Sequence, residues 1–136
     1  MEWVVKMLLE REEVDPDKPD NKGRTPLSHA AEYGHGGVVE ILLGREEVSP
    51  DKPDNDGRAP LPHAAGNGNM DVVESLLARE EVNVDKPDNH GRTPLSHAAG
   101  NGNENVVKLL VGREEVNPDE PDNRGRTPLS YTSTSL

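Results

Sequence analysis

The strongest constraint on the fold of this 136-residue chain is an internal period of 34 residues. The tetrapeptide Arg-Glu-Glu-Val recurs at that step, and so do a glycine and a proline between its copies. Such a period is typical of a solenoid, in which each repeat contacts only its neighbours. The tetrapeptide begins at Arg11, Arg45, Arg79 and Arg113, the glycines are Gly23, Gly57, Gly91 and Gly125, and the prolines are Pro26, Pro60, Pro94 and Pro128.

The composition alone permits either a disordered chain or a solenoid. The sequence is 31% hydrophobic and 2% aromatic, contains no Phe or Cys, and has a formal net charge of −11. Low hydrophobicity with high net charge is typical of disorder. A stack of short helices lined with Ala, Leu and Val, however, needs little aromatic mass. The period therefore decides in favour of the solenoid.

The same composition excludes several classes of partner. An acidic chain lacks the Lys and Arg excess that nucleic acids and anionic membranes require. Without cysteine there is neither a disulfide framework nor a zinc–thiolate site. The N-terminal apolar stretch contains Glu2, Lys6 and Glu10, unlike a signal peptide, and no run approaches the length of a membrane span. We therefore expect a cytoplasmic protein with no nucleic-acid or membrane partner.

Each period contains the signals for two short helices. Residues 25–27, Thr-Pro-Leu, predict the start of the first, because threonine caps a helix and proline suits its first position. Ala30 and Ala31 continue its apolar face, and Gly34 ends it. Residues 38–43 predict a second helix with two valines and two leucines on one face. In the later repeats, we expect Asn69 and Asn103 to cap this second helix.

These motifs identify a family. The segments Gly-Arg-Thr-Pro-Leu-Ser-His-Ala-Ala at 23–31 and 91–99 resemble the ankyrin-repeat core motif, and Val-Val-x-x-Leu-Leu at 38–43 resembles that of its second helix. The 34-residue form is similar to ankyrin arrays in large fungal signalling proteins. The resemblance implies an all-α solenoid of stacked helix-turn-helix units with projecting turns. Its predicted divisions are a half repeat at 1–19 (second helix and turn), repeats at 20–53, 54–87 and 88–121, and a half repeat at 122–136 (first helix).

The sequence departs from the family pattern in three ways. The period is one residue longer than the usual ankyrin repeat of about 33, and the motif histidine is replaced by serine in three copies and by Pro62 in the middle one. The resemblance therefore does not carry over the turn contacts of that histidine. Ala59 replaces the capping threonine, a loss of about 1 kcal/mol. We therefore expect the second repeat to be the least stable, and Ala59→Thr to raise the melting temperature.

The resemblance also implies where a partner binds, because turn tips and first helices form the concave groove of ankyrin proteins. Two columns run along this face, one of histidines ending in a tyrosine and one of arginines. The arginines could instead pair with the turn aspartates of neighbouring repeats. The implied contacts are Asn21, Lys22, Arg24, His29, Glu32 and Tyr33, then Asn55, Asp56, Arg58, His63 and Asn67, then Asn89, His90, Arg92, His97 and Asn101, and finally Arg126 and Tyr131.

Metal and catalytic chemistry are disfavoured. Histidines on helices packed about 8–10 Å apart cannot readily share an ion that requires ligands at about 2 Å. Residues 15–23 lack the alternating ligands of a calcium loop. Ser28 and His29 are adjacent on a helix, so their side chains diverge, and no phosphate-binding loop is present. We expect no enzyme activity, metal or cofactor.

Two functions remain open. The first is a monomeric, non-enzymatic scaffold that binds a protein or peptide in the groove. The second is a structural spacer, or an element that associates head to tail by joining the two half repeats of different molecules. The half repeats are also what a segment of a longer array would contain.

Overall fold

The computed structural model describes residues 1–133, and every regular element in that range is an α-helix. The end of the predicted half repeat, residues 134–136, lies outside the described residues. A lone second helix comes first, three helix pairs follow, and a lone first helix comes last, in the predicted order. The helices are α1 (Glu2–Leu9), α2 (Pro26–Glu32), α3 (Gly36–Leu43), α4 (Pro60–Asn67), α5 (Met70–Leu77), α6 (Pro94–Gly100), α7 (Glu104–Val111) and α8 (Pro128–Ser133).

The first helices begin and end as the sequence predicts. The hydroxyl of Thr25 accepts a hydrogen bond from the backbone N–H of Ser28 at 3.2 Å, and Thr93 accepts one from Ser96 at 3.2 Å. Helix α4 has no such cap, because Ala59 stands at the cap position. After these helices the chain turns at glycines with a left-handed backbone: Gly34 (φ +71°), Gly68 (φ +72°) and Gly102 (φ +69°).

The prediction that Asn69 and Asn103 cap the second helices is wrong. Both stand at the cap position, but neither side chain makes a cap hydrogen bond. Asn69 Nδ2 donates instead to the carbonyl oxygen of Ala31 at 3.2 Å, and Asn103 Nδ2 to that of Gly66 at 2.7 Å. The last carbonyls of a helix have no partner within it. These amides therefore satisfy the end of the first helix in the preceding repeat.

The core runs as a continuous row through the stack. Leu27, Leu61 and Leu95 occupy the same position in successive first helices, and none is more than 2% exposed. Alanines of the first helices and valines and leucines of the second helices complete this core. Neighbouring first helices contact each other more extensively than neighbouring second helices do. The small alanines let the first helices approach closely, and we call the side of the stack that these helices and the turns form the concave face.

In two repeats, the Arg-Glu-Glu-Val segment links the repeat to the one before it. Arg45 Nη1 donates to the carbonyl oxygen of Leu9, at the end of α1, at 2.8 Å, while Nη2 pairs with Glu47 at 2.8 Å. Arg79 makes the same two contacts one repeat later. A cation at a helix C-terminus interacts favourably with the helix dipole. The arginine of this segment therefore connects second helices across the repeat boundary.

Helix α1 is more exposed than the other second helices. Trp3 is 73% exposed, and Met7 and Leu8 are 50% and 53% exposed. Leu42 and Leu76, the counterparts of Leu8 one and two periods later, are 2% and 0% exposed. In the complete repeats a first helix packs against this face. Leu8 is thus exposed because this half repeat contains no first helix to cover it.

Candidate functional site

The turns that project beside the first helices are bonded to one another. The backbone N–H of Asn55 donates to the carbonyl oxygen of Lys22 at 3.0 Å, and its side-chain Nδ2 donates to that of Asn21 at 3.1 Å. Asn89 and Asn123 make the same two contacts with the turns before them. The turns therefore form a continuous ladder, and their backbone conformation is fixed before any partner arrives.

A glycine is required in each rung of this ladder. Gly23 has a left-handed backbone with φ +76°. A Cβ atom at this position would lie 2.5 Å from Asn55 Oδ1 and 2.9 Å from the Asn55 backbone nitrogen. A side chain would therefore both strain the turn and push the next turn away.

One aspartate supports each turn from within. Asp54 Oδ1 accepts hydrogen bonds from the backbone N–H groups of Asp56 at 2.9 Å and Arg58 at 3.0 Å. Asp88 and Asp122 support their own turns in the same way. All three aspartates are buried. Their Oδ2 atoms are left to accept hydrogen bonds from side chains.

The predicted column of histidines and tyrosine lies along this row of aspartates. The pairs, joined from His Nε2 or Tyr Oη to Asp Oδ2, are His29 with Asp20 at 2.8 Å, His63 with Asp54 at 3.0 Å, His97 with Asp88 at 3.0 Å, and Tyr131 with Asp122. His63 is only 8% exposed. These rings therefore hold the turns against the first helices, and the serines that replace the family histidine bond the cap threonines instead.

The charge state of the pair in the third repeat follows from its surroundings. Burial lowers the pKa of His97, and the bond to Asp88 only partly opposes this. Burial raises the pKa of Asp88, but hydrogen bonds to its carboxylate lower this pKa by more, so it lies below its ordinary value. The donors are the backbone N–H groups of Arg92 and His90 and the side chains of His97 and Arg58. At neutral pH the pair is a carboxylate bonded to a neutral histidine.

The first two arginines of the predicted column pair with carboxylates. Arg24 Nη1 lies 3.0 Å from Glu32 Oε2, and its Nε lies 3.8 Å from Asp54 Oδ2 of the next repeat. Arg58 Nε lies 3.1 Å from Asp88 Oδ2. The contacts of Arg24 with Asp54 and of Arg58 with Asp88 are the neighbour-to-neighbour pairs that the sequence left open as an alternative, and they join successive repeats along the concave face.

The last two arginines depart from this arrangement. Arg126 Nε turns back to Asp122 of its own turn at 3.0 Å. The guanidinium carbons of Arg126 and Arg92 lie 5.1 and 5.8 Å from the centre of the Tyr131 ring. Within the described part of the chain, no carboxylate lies within 4.0 Å of the Arg92 guanidinium. The contacts of the arginines thus change along the concave face, from ion pairs with the next repeat to packing against Tyr131.

Two predicted asparagines also have partners within the chain. Asn67 Nδ2 donates to the carbonyl oxygen of Glu32 at 2.6 Å, and Asn101 Nδ2 donates to that of Gly66 at 2.8 Å. Each amide lies at the end of one first helix and donates to the end of the first helix in the preceding repeat. These contacts join the inner helices, as Asn55 and Asn89 join the turns.

The side chains at the turn tips remain exposed. Lys22, Asp56 and His90 stand at the tips, and Tyr33, at the end of α2, is 66% exposed. Sequence reasoning missed Arg124, which is also exposed and which the 34-residue step places at the fourth tip. The period itself was the signal that could have found it.

The comparison with protein families decides the assignment. A family model described as ankyrin repeats in three copies matches residues 1–88 and again residues 63–135. The chain belongs to the ankyrin-repeat family. No curated protein matches the sequence. Ankyrin repeats are generally protein–protein interaction modules and are typically not enzymes.

The ankyrin fold places one polar recess on the concave face. It has a volume of about 140 Å³ and lies where α2, α4 and α6 meet, lined by Glu32, Arg58, His63, His97 and Asn101 among others. Among the described residues, no group of three His, Cys, Asp or Glu side chains is placed to hold a metal ion. In the same part of the chain, no helix is long and apolar enough to cross a membrane.

Proposed function

We propose that this ankyrin-repeat protein binds a protein or peptide segment along its concave face and catalyses no reaction. The main support is the row of exposed tip side chains, Lys22, Asp56, His90 and Arg124, on a ladder whose backbone is already hydrogen-bonded. A preorganised surface loses little conformational entropy when it binds. A fixed row of varied side chains suits static recognition of one partner.

The arginine and histidine columns support this surface in a different way. Arg24 and Arg58 join successive repeats, and His63 and His97 hold the buried turn aspartates. Reversing the charge of these arginines would leave buried carboxylates unpaired, which is strongly destabilising. Loss of binding in such variants would not separate recognition from folding.

The tip side chains allow a cleaner test. A variant with Lys22, Asp56, His90 and Arg124 all changed to serine keeps every backbone bond of the ladder. Its control changes Glu74, Lys108 and Glu114, which are exposed outside the concave face, to serine. We expect proteins captured by the native chain and by the control to be lost from the tip variant, with circular dichroism unchanged. Equal capture by both variants would contradict the proposal.

We propose that the chain acts as a monomer, since all four tips lie within one molecule. One observation favours head-to-tail association instead, namely the exposed apolar face of α1 with Trp3, Met7 and Leu8. Light scattering over a concentration series separates the two states. A constant monomer mass rejects association, and a mass that rises with concentration rejects the monomer.

A further inference from the structure

Arg92, which precedes α6, lacks both of the carboxylates that pair with its counterpart Arg24 in the first repeat. Arg24 contacts Glu32, eight residues later, and Asp54 of the following turn. Eight residues after Arg92 stands Gly100, which has no side chain. The corresponding aspartate of the following turn is Asp122, and its oxygens have other partners.

The carboxylate of Asp122 already accepts four hydrogen bonds. Its Oδ1 accepts the backbone N–H groups of Arg124 at 2.8 Å and Arg126 at 2.9 Å. Its Oδ2 accepts Arg126 Nε at 3.0 Å and the hydroxyl of Tyr131. A carboxylate offers about four acceptor positions. Asp122 therefore has no capacity left for Arg92, whose Nε is buried without a hydrogen-bond partner among the described residues.

The side chains around Arg92 form a partly exposed cationic surface. Arg92 and Arg126 both lie beside the Tyr131 ring. Arg124 is exposed at the tip of the same turn. A Cβ atom at Gly100 would lie 3.7 Å from Tyr131 Cβ, an ordinary contact distance, so the backbone accepts a Cβ atom at this position.

We propose that a glutamate or aspartate side chain of an acidic peptide segment binds to this C-terminal arginine surface, formed by Arg92, Arg124, Arg126 and Tyr131. There it takes the place that Glu32 occupies beside Arg24. The inference rests on the proposed function and names the chemistry of the partner. Arginine suits this role because its planar guanidinium bonds a carboxylate at two positions.

The net charge makes this recognition local. With a formal net charge of −11, the chain as a whole repels an acidic peptide. At about 0.15 M salt the screening length is about 8 Å, so only the nearest charges act on a bound side chain. Saturable binding of an acidic peptide therefore requires a local cationic surface.

The decisive experiment supplies the missing carboxylate within the chain. Fluorescence anisotropy measures binding of fluorescein-labelled octa-glutamate to the native chain, to Gly100→Glu and to the uncharged control Gly100→Gln. We expect Gly100→Glu to weaken binding at least tenfold, because the new carboxylate occupies Arg92 as Glu32 occupies Arg24. Gly100→Gln should stay within twofold of the native chain. Equal loss in both variants would overturn the inference, since it would show a steric effect.

A second pair of variants tests the arginines without disturbing buried groups. Arg124→Gln removes an exposed charge and should weaken binding about threefold. Lys108→Gln removes the same charge from α7, where Lys108 is 70% exposed and pairs with Glu104, and should leave binding unchanged. Equal weakening by both variants would attribute binding to net charge and overturn the inference. An octamer of thymidylate that binds as tightly as octa-glutamate would overturn the peptide assignment.

The two proposals fail separately. Absence of saturable octa-glutamate binding overturns the acidic partner, while tip-dependent capture of proteins still supports the concave binding face. Capture that is indifferent to the tips overturns the binding face, whatever the peptide does.

Discussion

The second repeat and its two neighbours have the same fold but begin their first helices differently. In the third repeat, Thr93 and Ser96 are buried and their hydroxyls lie 3.2 Å apart, with the Ser96 N–H also bonded to Thr93. The first repeat has the same pair. In the second repeat these two positions are Ala59 and Pro62, both buried. Proline has no N–H, so α4 lacks both the cap and the donor that the cap would satisfy.

This difference changes the effect on stability that we expect from the missing threonine. Removing one partner of a buried hydrogen bond leaves an unsatisfied group, whereas replacing both by apolar groups is nearly neutral. A threonine at position 59 would bury a hydroxyl whose usual donor at position 62 is absent. The expectation that Ala59→Thr alone stabilises the second repeat is therefore revised, and the following predictions test the comparison between the repeats.

The largest effect should come from the core that all three repeats share. Leu61→Ala and Leu95→Ala should each lower the free energy of unfolding by about 3 kcal/mol, because both leucines are almost fully buried. Urea denaturation followed by circular dichroism gives both values. We expect them to agree within about 1 kcal/mol. A much smaller loss for Leu61→Ala would show that α4 packs less well than α6.

The next effect should appear in the third repeat alone. Thr93→Ala leaves the buried N–H and hydroxyl of Ser96 without their partner and should cost about 1–2 kcal/mol. The double variant Thr93→Ala/Ser96→Pro copies the second repeat and should recover most of that loss. Thr93→Ser keeps the hydroxyl and serves as the control. A double variant less stable than Thr93→Ala would contradict the idea of a matched pair.

The reverse exchange should give a smaller gain. Ala59→Thr alone should change the melting temperature little. Together with Pro62→Ser it should raise stability by up to about 1 kcal/mol, because the hydroxyl and its N–H donor are then both present. Differential scanning calorimetry of the two singles and the double completes the cycle. A full gain from Ala59→Thr alone would restore the simpler explanation.

The smallest effect should depend on pH and on the turn of the third repeat. Burial lowers the pKa of His97 below its ordinary value of 6.5, so the unfolded chain binds the proton more readily. The stability that this histidine contributes is complete above pH 6.5 and is lost as the pH falls below it. His97→Gln should therefore flatten the melting temperature between about pH 6.5 and 5. An unchanged slope in this variant would contradict the assignment.

Much of the fold follows from local signals in the sequence. Thr25 and Thr93 cap first helices, Gly34 ends one, and the order of single and paired helices follows the 34-residue step. Such features depend on a few neighbouring residues. The predicted caps at Asn69 and Asn103 failed because their amides bond carbonyls of the preceding repeat, 38 residues away in sequence.

For the same reason, the sequence predicted the contacts of the concave face only in part. The period places Arg24, Arg58, Arg92 and Arg126 in equivalent positions and therefore predicts the same contacts for all four. Their contacts differ because Arg24 reaches Asp54 of the next repeat, whereas Arg126 pairs with Asp122 of its own turn.

By itself the sequence determined the repeat, its two helices and the residues that share a face, because hydrophobic periodicity, capping and turn chemistry act over a few residues. Only the tertiary structure decided which polar side chains on that face hold the repeats together and which stay exposed. Those bonds form between repeats about 34 residues apart in the chain, at distances that only stacking sets. Arg92 differs from Arg24 for this reason and because Gly100 stands where the first repeat has Glu32.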